Sequence, residues 1–548
     1  MSNISEKKRN DLLKRIDEIR LFVSESENND RTQGLLKTLS QIELEITSKK
    51  YGLLYEEHEE KVDELMKKSA PVFIEKTDLS IGGSKNINFL LEGDNLASLN
   101  LLLKTHYRSI DVIYIDPPYN TGNKDFVYDD AFVDKVDTFK HSKWLSFMEK
   151  RLSIARKLLS EQGLIFISID DNEQGILKVL CDSIFGEQNY ITMFFRKTKS
   201  MTGDDGNGLN IQHEYLLVYA KDKNKASFIG EQKSFDGYSN PDNDPNGIWC
   251  AGDPSAKSGG PSTYFPIENP ITGQVDYPPE GRYWAFSKET MQKYIESGRI
   301  KFKTEIKKKQ RGFIFKRYAE TMEVKTDPIG TLVFCDNAYM NSVATTETND
   351  LIGAGKFSYP KPMEFIKNII KYSSKKDSII LDFFAGSGTT GHAVMQLNKE
   401  DGGNRKFILC TNNENNICVD VTLKRLKNCI EKFKFDSSIK YLVADFVNKE
   451  GRFFYEYSDE LLKHVKELVE LENFVSFQDM PNVALALSDE ELDKLMKTDV
   501  TKIEKLYLGN DVLLSEDYIN ILRENGTEIL VVPEYYYKEL EVEWYGAS

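Results

Sequence analysis

Residues 378–397, SIILDFFAGSGTTGHAVMQL, contain the strongest fold signal in the sequence. The apolar run that ends at Asp382 predicts a buried strand, and the residues after Gly388 predict a helix. The glycines between them allow the chain to turn tightly and to approach a ligand closely. The first N–H groups of the helix favour an anionic group at this turn. The stretch therefore predicts a strand–turn–helix unit that binds a phosphate or a carboxylate.

The glycine pattern alone leaves the ligand of this turn open. Residues 386–391, GSGTTG, satisfy the GxGxxG pattern of dinucleotide-binding turns, but the Lys that completes a phosphate-binding P-loop is missing. Glu414 follows the next predicted strand, where a carboxylate can accept hydrogen bonds from ribose hydroxyls. A solvated loop carboxylate is the alternative interpretation of Glu414.

Two regions alternate short apolar runs with helical patterns, residues 87–195 and residues 351–450. This alternation is typical of a parallel sheet covered by helices. We therefore predict an α/β, Rossmann-like fold with a mostly parallel sheet, interrupted by a large insertion rich in Gly, Pro, Asn, Asp and Ser. The predicted regions are a helical N-terminal region (1–75), one half of the sheet domain (76–195), the insertion (196–350), the other half (351–450) and a C-terminal accessory domain (451–548).

Composition excludes several classes of protein. The 548 residues are 40% hydrophobic and 29% charged, with a formal net charge of −15, which is ordinary for soluble proteins. No apolar stretch approaches the ~20 residues that span a bilayer, and the pattern of the first residues does not predict a secretory signal. The cysteines form no CxxC pair, so neither a metal site nor a disulfide framework is expected. The sequence favours a cytoplasmic protein, and only a local basic surface would contact nucleic acid.

A second motif, DPPY, follows the predicted buried strand IDVIYI (110–115). Its two prolines restrict the backbone, so the loop is expected to be rigid. The Asp116 carboxylate and the Pro117 carbonyl can then accept the two hydrogens of an adenine amino group, and Tyr119 offers a flat face for stacking. An ordinary proline turn with a solvated Asp is the alternative.

In open α/β sheets, ligands bind beyond the carboxyl ends of the strands, so both motifs are expected there. With both motifs present, the sequence resembles the S-adenosylmethionine-dependent amino-methyltransferases of DNA. In that family DPPY is typical of enzymes that modify adenine N6, and its position before FAGSGTT is typical of the β group. A closer resemblance is to the modification (Mod) subunits of type III restriction–modification systems. It rests on the segments FLLEGDNLASLNLL (89–102), GLIFISIDDNE (163–173), HEYLLVYAKD (213–222) and PPEGRYWAF (278–286).

The resemblance covers residues 85–450 and implies methyl transfer from S-adenosylmethionine to N6 of an adenine flipped out of double-stranded DNA. It implies that the insertion recognises the target sequence. The periodic apolar residues of the N-terminal region separately predict helices that brace the fold or mediate dimerisation. The implied catalytic residues are Asp116, Pro117, Pro118 and Tyr119. The implied cofactor-binding residues are Asp94, Lys361, Pro362, Asp382, Phe384, Ala385, Gly386, Gly388, Thr389 and Glu414.

The insertion contains a basic run, RIKFKTEIKKKQRGFIFKR (299–317), with interleaved aromatic residues. Such a run can neutralise DNA phosphates, which gives an affinity that falls with salt. A solvated charged hairpin is the alternative. A smaller basic cluster lies at the start of the insertion. The predicted DNA contacts are Arg196, Lys197, Lys307, Lys308, Lys309, Arg311, Lys316 and Arg317.

The resemblance also implies partners, namely a second copy of the chain and a separately encoded helicase–nuclease restriction (Res) subunit. A solitary or type II-like adenine methyltransferase without a nuclease partner is a close alternative. A nicotinamide-dependent oxidoreductase that uses GSGTTG is an alternative from another class, but it leaves DPPY unexplained. A non-catalytic DNA-binding regulator is a third alternative, against which the intact motifs argue.

Overall fold

The structure is a computed structural model, and it divides into two compact units. The larger unit is formed by residues 1–227 and 331–548, and the smaller unit by residues 228–330. The residues that the structure describes are 4–24, 30–47, 55–122, 127–128, 131–132, 137, 139–201, 203, 208–320, 326–477 and 482–537.

The α-helices and strands are numbered in chain order. The helices are α1 (Ile4–Ser24), α2 (Asp30–Thr47), α3 (Lys61–Lys68), α4 (Asn95–Thr105), α5 (Lys140–Leu158), α6 (Gln174–Phe185), α7 (Lys288–Glu296), α8 (Asn341–Ile352), α9 (Met363–Ser373), α10 (Thr389–Asp401), α11 (Lys424–Phe433), α12 (Phe454–Leu462), α13 (Val465–Asn473), α14 (Asp489–Met496), α15 (Glu516–Glu524) and α16 (Glu534–Tyr537). The strands are β1 (Ser69–Glu75), β2 (Ile87–Glu92), β3 (Ile110–Ile115), β4 (Val127–Tyr128), β5 (Ala131–Phe132), β6 (Leu159–Ile169), β7 (Tyr190–Lys197), β8 (His213–Ala220), β9 (Glu231–Gln232), β10 (Trp249–Gly252), β11 (Ser255–Ala256), β12 (Ile267–Glu268), β13 (Val275–Asp276), β14 (Tyr283–Trp284), β15 (Ile300–Phe302), β16 (Phe313–Tyr318), β17 (Thr326–Asp327), β18 (Ile379–Asp382), β19 (Lys406–Thr411), β20 (Ser438–Asn448), β21 (Val483–Ala486), β22 (Lys505–Gly509) and β23 (Glu528–Val532).

The larger unit is built on a mostly parallel sheet. Its strand order is β1-β20-β2-β19-β18-β3-β6-β8-β7. The strands from β20 to β6 run parallel, whereas β1 is antiparallel to β20 and β8 is antiparallel to both of its neighbours. The predicted α/β sheet is therefore confirmed, and it draws strands from both sides of the insertion.

Helices cover both faces of the sheet. Successive strand residues point to opposite faces, and on β3 the residues of each face pack against a different helix. Ile113 and Ile115 of β3 belong to one buried cluster with Trp144 and Leu152 of α5. Tyr114, between them, contacts the ring of Phe365 on α9 instead. Such burial on both faces explains why the strands appear in the sequence as nearly continuous apolar runs.

The compact smaller unit is shorter than the predicted insertion of residues 196–350. Strand β8 lies inside the predicted insertion, but it pairs with β6 and β7 in the central sheet. Helix α8 also belongs to the larger unit. The smaller unit has its own apolar cluster around Phe265, Trp284 and Phe313 and a small antiparallel sheet of β10, β16 and β15. Its chain therefore forms a separate compact body.

The C-terminal region contains a small parallel sheet in the order β21-β22-β23. Leu492 of α14 and Leu522 of α15 are buried against Leu506 and Leu508 of β22. Within the described part of the chain, no helix combines the length and apolar character needed to cross a membrane.

Candidate active site

The DPPY loop and the glycine turn leave the same edge of the sheet from adjacent strands. Strands β3 and β18 are parallel, with Val112 opposite Ile380 and Ile113 opposite Leu381. The DPPY loop follows β3 directly, and the glycine turn follows β18. In open α/β sheets, ligands bind beyond the carboxyl ends of the strands. The structure thus brings the two predicted motifs together at the expected position.

Neighbouring elements hold the DPPY loop in place. The Trp144 indole N–H donates to the Pro118 carbonyl at 2.7 Å. This carbonyl directly follows that of Pro117, which is the acceptor predicted for the base. Asn120 has a left-handed backbone (φ +54°), and its side-chain amide donates to the buried Glu173 at 2.6 Å. The loop is therefore held at its middle and at its C-terminal end, in keeping with the rigidity that its prolines predict.

The Asp116 carboxylate is the centre of a cluster of charged groups. Lys361 Nζ lies 2.8 Å from both of its oxygens, and the Tyr119 hydroxyl donates to Oδ1 at 2.9 Å. Glu214 Oε2 is 3.3 Å from the same hydroxyl, and Arg196 Nε donates to Glu214 Oε1 at 2.7 Å. A quarter of the Asp116 side chain stays exposed, so an incoming base can reach it.

The protonation of this cluster follows from burial and charge. Burial, with the Asp116 and Glu214 carboxylates, raises the pKa of Tyr119 well above its usual value, so its hydroxyl remains a hydrogen-bond donor. Burial opposes the charge of Glu214, but Arg196 and Lys361 outweigh this effect and lower its pKa. The cluster therefore contains a buried carboxylate whose charge is balanced by two cations.

The glycine turn forms a cradle that only small residues fit. Gly386 (φ +48°) and Gly388 (φ +76°) have left-handed backbones. A Cβ at Gly386 would lie 3.2 Å from the Phe357 ring, and a Cβ at Gly388 would lie 3.1 Å from Thr422 Cγ2. The Thr422 hydroxyl also donates to the Gly386 carbonyl at 2.6 Å. A narrow turn of this kind at a helix N-terminus fits the carboxylate end of S-adenosylmethionine.

Asp382 holds this turn from within. Its carboxylate accepts hydrogen bonds from the Phe384 N–H at 3.0 Å and from the Thr390 hydroxyl at 2.5 Å. The residue is almost fully buried, and burial raises its pKa to about 7 although both hydrogen bonds oppose the shift. Asp382 therefore shapes the cradle, and its predicted contact with the cofactor stays a prediction.

The other predicted cofactor residues differ in their burial and in the hydrogen bonds that they make. Asp94 caps α4 by accepting from the Leu96 N–H at 2.7 Å, and the next residue, Asn95, donates to the Phe383 carbonyl at 2.9 Å. Ala385 and Thr389 are buried in the turn, Pro362 is buried before α9, Phe384 is half-buried and Glu414 is exposed. Lys361 bonds to Asp116, and its predicted cofactor contact stays a prediction.

Two of the predicted DNA contacts are wrong, because the side chains are buried in ion pairs. Arg196 is 1% exposed and pairs with Glu214. Lys316 is 2% exposed and lies between Asp242 and Asp244. Among the others, Arg311 pairs with Asp253 at 3.2 Å, and Lys197 donates to Asn337 at 2.7 Å. The exposed members of the set are Lys307, Lys308, Lys309 and Arg317.

Several residues of the site were missed by the sequence analysis, namely Glu214, Trp144 and Glu173. Glu214 had a usable signal, since it is the single carboxylate in the apolar strand HEYLLVYA, where a charge is costly unless it is paired. Glu173 and Trp144 had no comparable signal, because an acid after a strand and a tryptophan on a helix are common structural residues.

The fold and the site define an α/β protein with the S-adenosylmethionine-dependent methyltransferase fold. The chain belongs to the DNA methylase family, whose profile matches residues 110–419 and so includes both motifs. Membership of this family excludes the nicotinamide-dependent oxidoreductase that GSGTTG alone allowed.

Mod subunits are among the relatives of this chain. The type III restriction-modification enzyme StyLTI Mod subunit of Salmonella typhimurium is 41% identical over 355 residues, or 59% of this chain and 52% of that protein. The EcoPI Mod subunit of Escherichia phage P1 is 34% identical over 384 residues, or 60% of this chain and 58% of that protein. The chain thus spans little more than half the length of these relatives.

A third relative is the type II methyltransferase M.KpnI of Klebsiella pneumoniae. It is 37% identical over 344 residues, which cover 59% of this chain and 79% of that protein. The similarity to this chain therefore extends to both type II and type III systems.

Proposed function

We propose that this protein transfers a methyl group from S-adenosylmethionine to N6 of adenine in double-stranded DNA. The observation that carries the proposal is the position of Asp116 and the rigid DPPY loop on the strand next to the glycine cradle. A methyl donor in the cradle and a base on the loop would meet at one edge of the sheet. When bound, S-adenosylmethionine supplies a methyl group activated by its sulfonium.

The residues of the chain then act on the amino group. Adenine N6 is a weak nucleophile because its lone pair is conjugated with the ring. Hydrogen bonds from N6 to the Asp116 carboxylate and the Pro117 carbonyl localise that lone pair and orient it, and their preorganised geometry lowers the barrier. The N6–methyl bond forms as the sulfonium–methyl bond breaks, and the proton that N6 loses passes to water. Tyr119 provides the stacking surface for the flipped base.

The test of this proposal is the chemical identity of the product. The purified protein is incubated with S-adenosylmethionine and DNA from a strain that lacks the gene, and the digested nucleosides are separated by mass spectrometry. We expect N6-methyldeoxyadenosine. N4-methyldeoxycytidine as the product would refute the assignment to adenine, and the absence of any methylated nucleoside would favour a non-catalytic regulator.

We further propose a role as the modification subunit of a type III system, acting in the cytoplasm as a homodimer with a Res subunit. The identity to two Mod subunits supports this role. Leu12 and Ile19 of α1, which are about two turns apart on one face of the helix, are each about half exposed, so they offer an apolar surface to a second copy. A solitary type II-like enzyme is the second candidate, since the match covers 79% of M.KpnI.

The exposed lysines of the basic run are proposed to contact DNA phosphates. Changing Lys307, Lys308 and Lys309 together to Gln should weaken DNA binding and make the plot of log K against log salt concentration shallower by about two to three, since each phosphate contact contributes about 0.9 to the slope. Fluorescence anisotropy over a salt series measures this slope. The matched control changes three exposed lysines of the C-terminal region, Lys494, Lys497 and Lys502, to Gln. Equal slopes for both triple variants would contradict the proposal.

A further inference from the structure

Glu214 is a carboxylate buried next to the reacting carboxylate. It lies on β8, is 6% exposed, and has Arg196 Nε at 2.7 Å. Arg196 is itself fixed, because it also donates to the Tyr339 carbonyl and to Asn341 Oδ1. Burying such a pair costs desolvation energy, and an apolar pair of similar volume is often no less stable. The contacts of this pair therefore point to a role other than stability.

Two hydrogen-bond donors lie between Glu214 and Asp116. The Tyr119 hydroxyl is 2.9 Å from Asp116 Oδ1 and 3.3 Å from Glu214 Oε2. Lys361 Nζ is 2.8 Å from Asp116 and 3.6 Å from Glu214 Oε1. A phenol has one hydrogen, so Tyr119 can donate fully to only one of the two carboxylates at a time. In the structure both donors are closer to Asp116.

The target base needs the same acceptor. A carboxylate has about four lone-pair sites, and the contacts of Lys361 and Tyr119 engage most of those on Asp116. An amino group that arrives at Asp116 must therefore compete with these donors. Rotation of the Tyr119 hydroxyl hydrogen towards Glu214, with a shift of Lys361 of less than an ångström or so, would make room without movement of the backbone.

We propose that Glu214 is a positioning residue. It accepts hydrogen bonds from the Tyr119 hydroxyl and the Lys361 ammonium when the target amino group binds Asp116. Arg196 keeps Glu214 charged and in place for this exchange. The inference rests on the proposed function, because the amino group that triggers the exchange is that of the target adenine. Glu214 does not touch the base and acts only through Tyr119 and Lys361.

The test separates amino-group capture from loop structure. Glu214→Gln keeps the shape of the side chain but removes its charge, and we expect the single-turnover methylation rate to fall roughly tenfold to a hundredfold, as for a lost hydrogen bond to a charged group. A duplex with 2-aminopurine at the adenine found to be methylated reports base flipping by fluorescence. This analogue has no amino group at C6, so it does not need the exchange. The fluorescence gain with Glu214→Gln should therefore equal the gain with the native protein.

Three other results of these measurements would overturn the inference. A Glu214→Gln rate within twofold of the native rate would show that no exchange is needed. Loss of the 2-aminopurine signal together with the rate would show that Glu214 only holds the loop. The control is Glu470→Gln, which removes another buried carboxylate paired with a cation, Lys440. An equal rate loss in the control would mean general destabilisation.

A second variant covers the case in which Glu214→Gln does not fold, and the activity of the native protein separates failure of this inference from failure of the proposed function. If Glu214→Gln does not fold by circular dichroism, the paired variant Glu214→Gln/Arg196→Gln avoids an unpaired buried cation, and the same pattern of rate and fluorescence is expected of it. Absence of methyl transfer by the native protein would refute the proposed function, whereas native activity with an unchanged variant rate would refute this inference alone.

Discussion

Replacing Asp116 by Asn should lower the rate of methyl transfer to DNA by roughly 10²–10³-fold, the usual cost of removing one preorganised group from a reaction centre. The amide keeps the volume of the carboxylate but cannot accept with two charged oxygens, and its NH₂ group would face the donors Lys361 and Tyr119. Affinity for S-adenosylmethionine should stay close to native, because Asp116 lies on the loop and not in the glycine cradle. Single-turnover transfer of a radiolabelled methyl group and isothermal titration measure the two quantities.

The matched control for this variant is Asp111→Asn. Asp111 lies on the same strand, β3, at its opposite end, where it accepts a hydrogen bond from the Ile379 N–H at 3.1 Å. We expect that Asp111→Asn has a native rate even if it is less stable. An Asp116→Asn rate within tenfold of native would contradict the proposed role of the carboxylate.

Replacing Gly388 by Ala should weaken the binding of S-adenosylmethionine by about tenfold or more. The left-handed backbone costs an L-residue about 1–2 kcal/mol, and the new Cβ would push on Thr422, whose hydroxyl holds the Gly386 carbonyl. Distortion of the cradle by ~1.4 kcal/mol corresponds to a tenfold loss of affinity. Isothermal titration with S-adenosylmethionine measures the loss directly.

The control is Gly402→Ala at the other end of the same helix, α10. Gly402 has a similar backbone (φ +66°), but its added Cβ would meet no atom within 4 Å. Both variants should lose a similar free energy of unfolding from backbone strain, so only the cradle differs between them. If Gly402→Ala lost as much affinity as Gly388→Ala, the cradle would not be the cofactor site.

The sequence predicted the sheet and the meeting of its two motifs for simple physical reasons. Strands buried on both faces appear as apolar runs such as IDVIYI, and a rule about the ends of parallel strands places the DPPY loop and the glycine turn together. The glycines likewise predicted a tight turn, and Gly386 and Gly388 form it with left-handed backbones.

Side-chain partners were beyond prediction where they depend on distant strands. Glu214 and Tyr119 meet because β8 enters the sheet beside β6. The apolar run of β8 indicates a buried strand, but it does not indicate which strand β8 joins. Lys316 appeared to be a surface cation because its neighbours in sequence are basic. Alternate residues of β16 face opposite sides, however, and Lys316 lies on the side of Asp242 and Asp244, whereas Arg317 is exposed.

The most direct test of the central claim is a crystal structure of the protein with S-adenosylhomocysteine and a duplex that contains the target adenine. We predict an extruded adenine with N6 about 3 Å from both an Asp116 oxygen and the Pro117 carbonyl, and a sulfur within reach of N6 on the side of Gly386. An adenine bound elsewhere, with Asp116 still engaged only by Lys361 and Tyr119, would contradict the account.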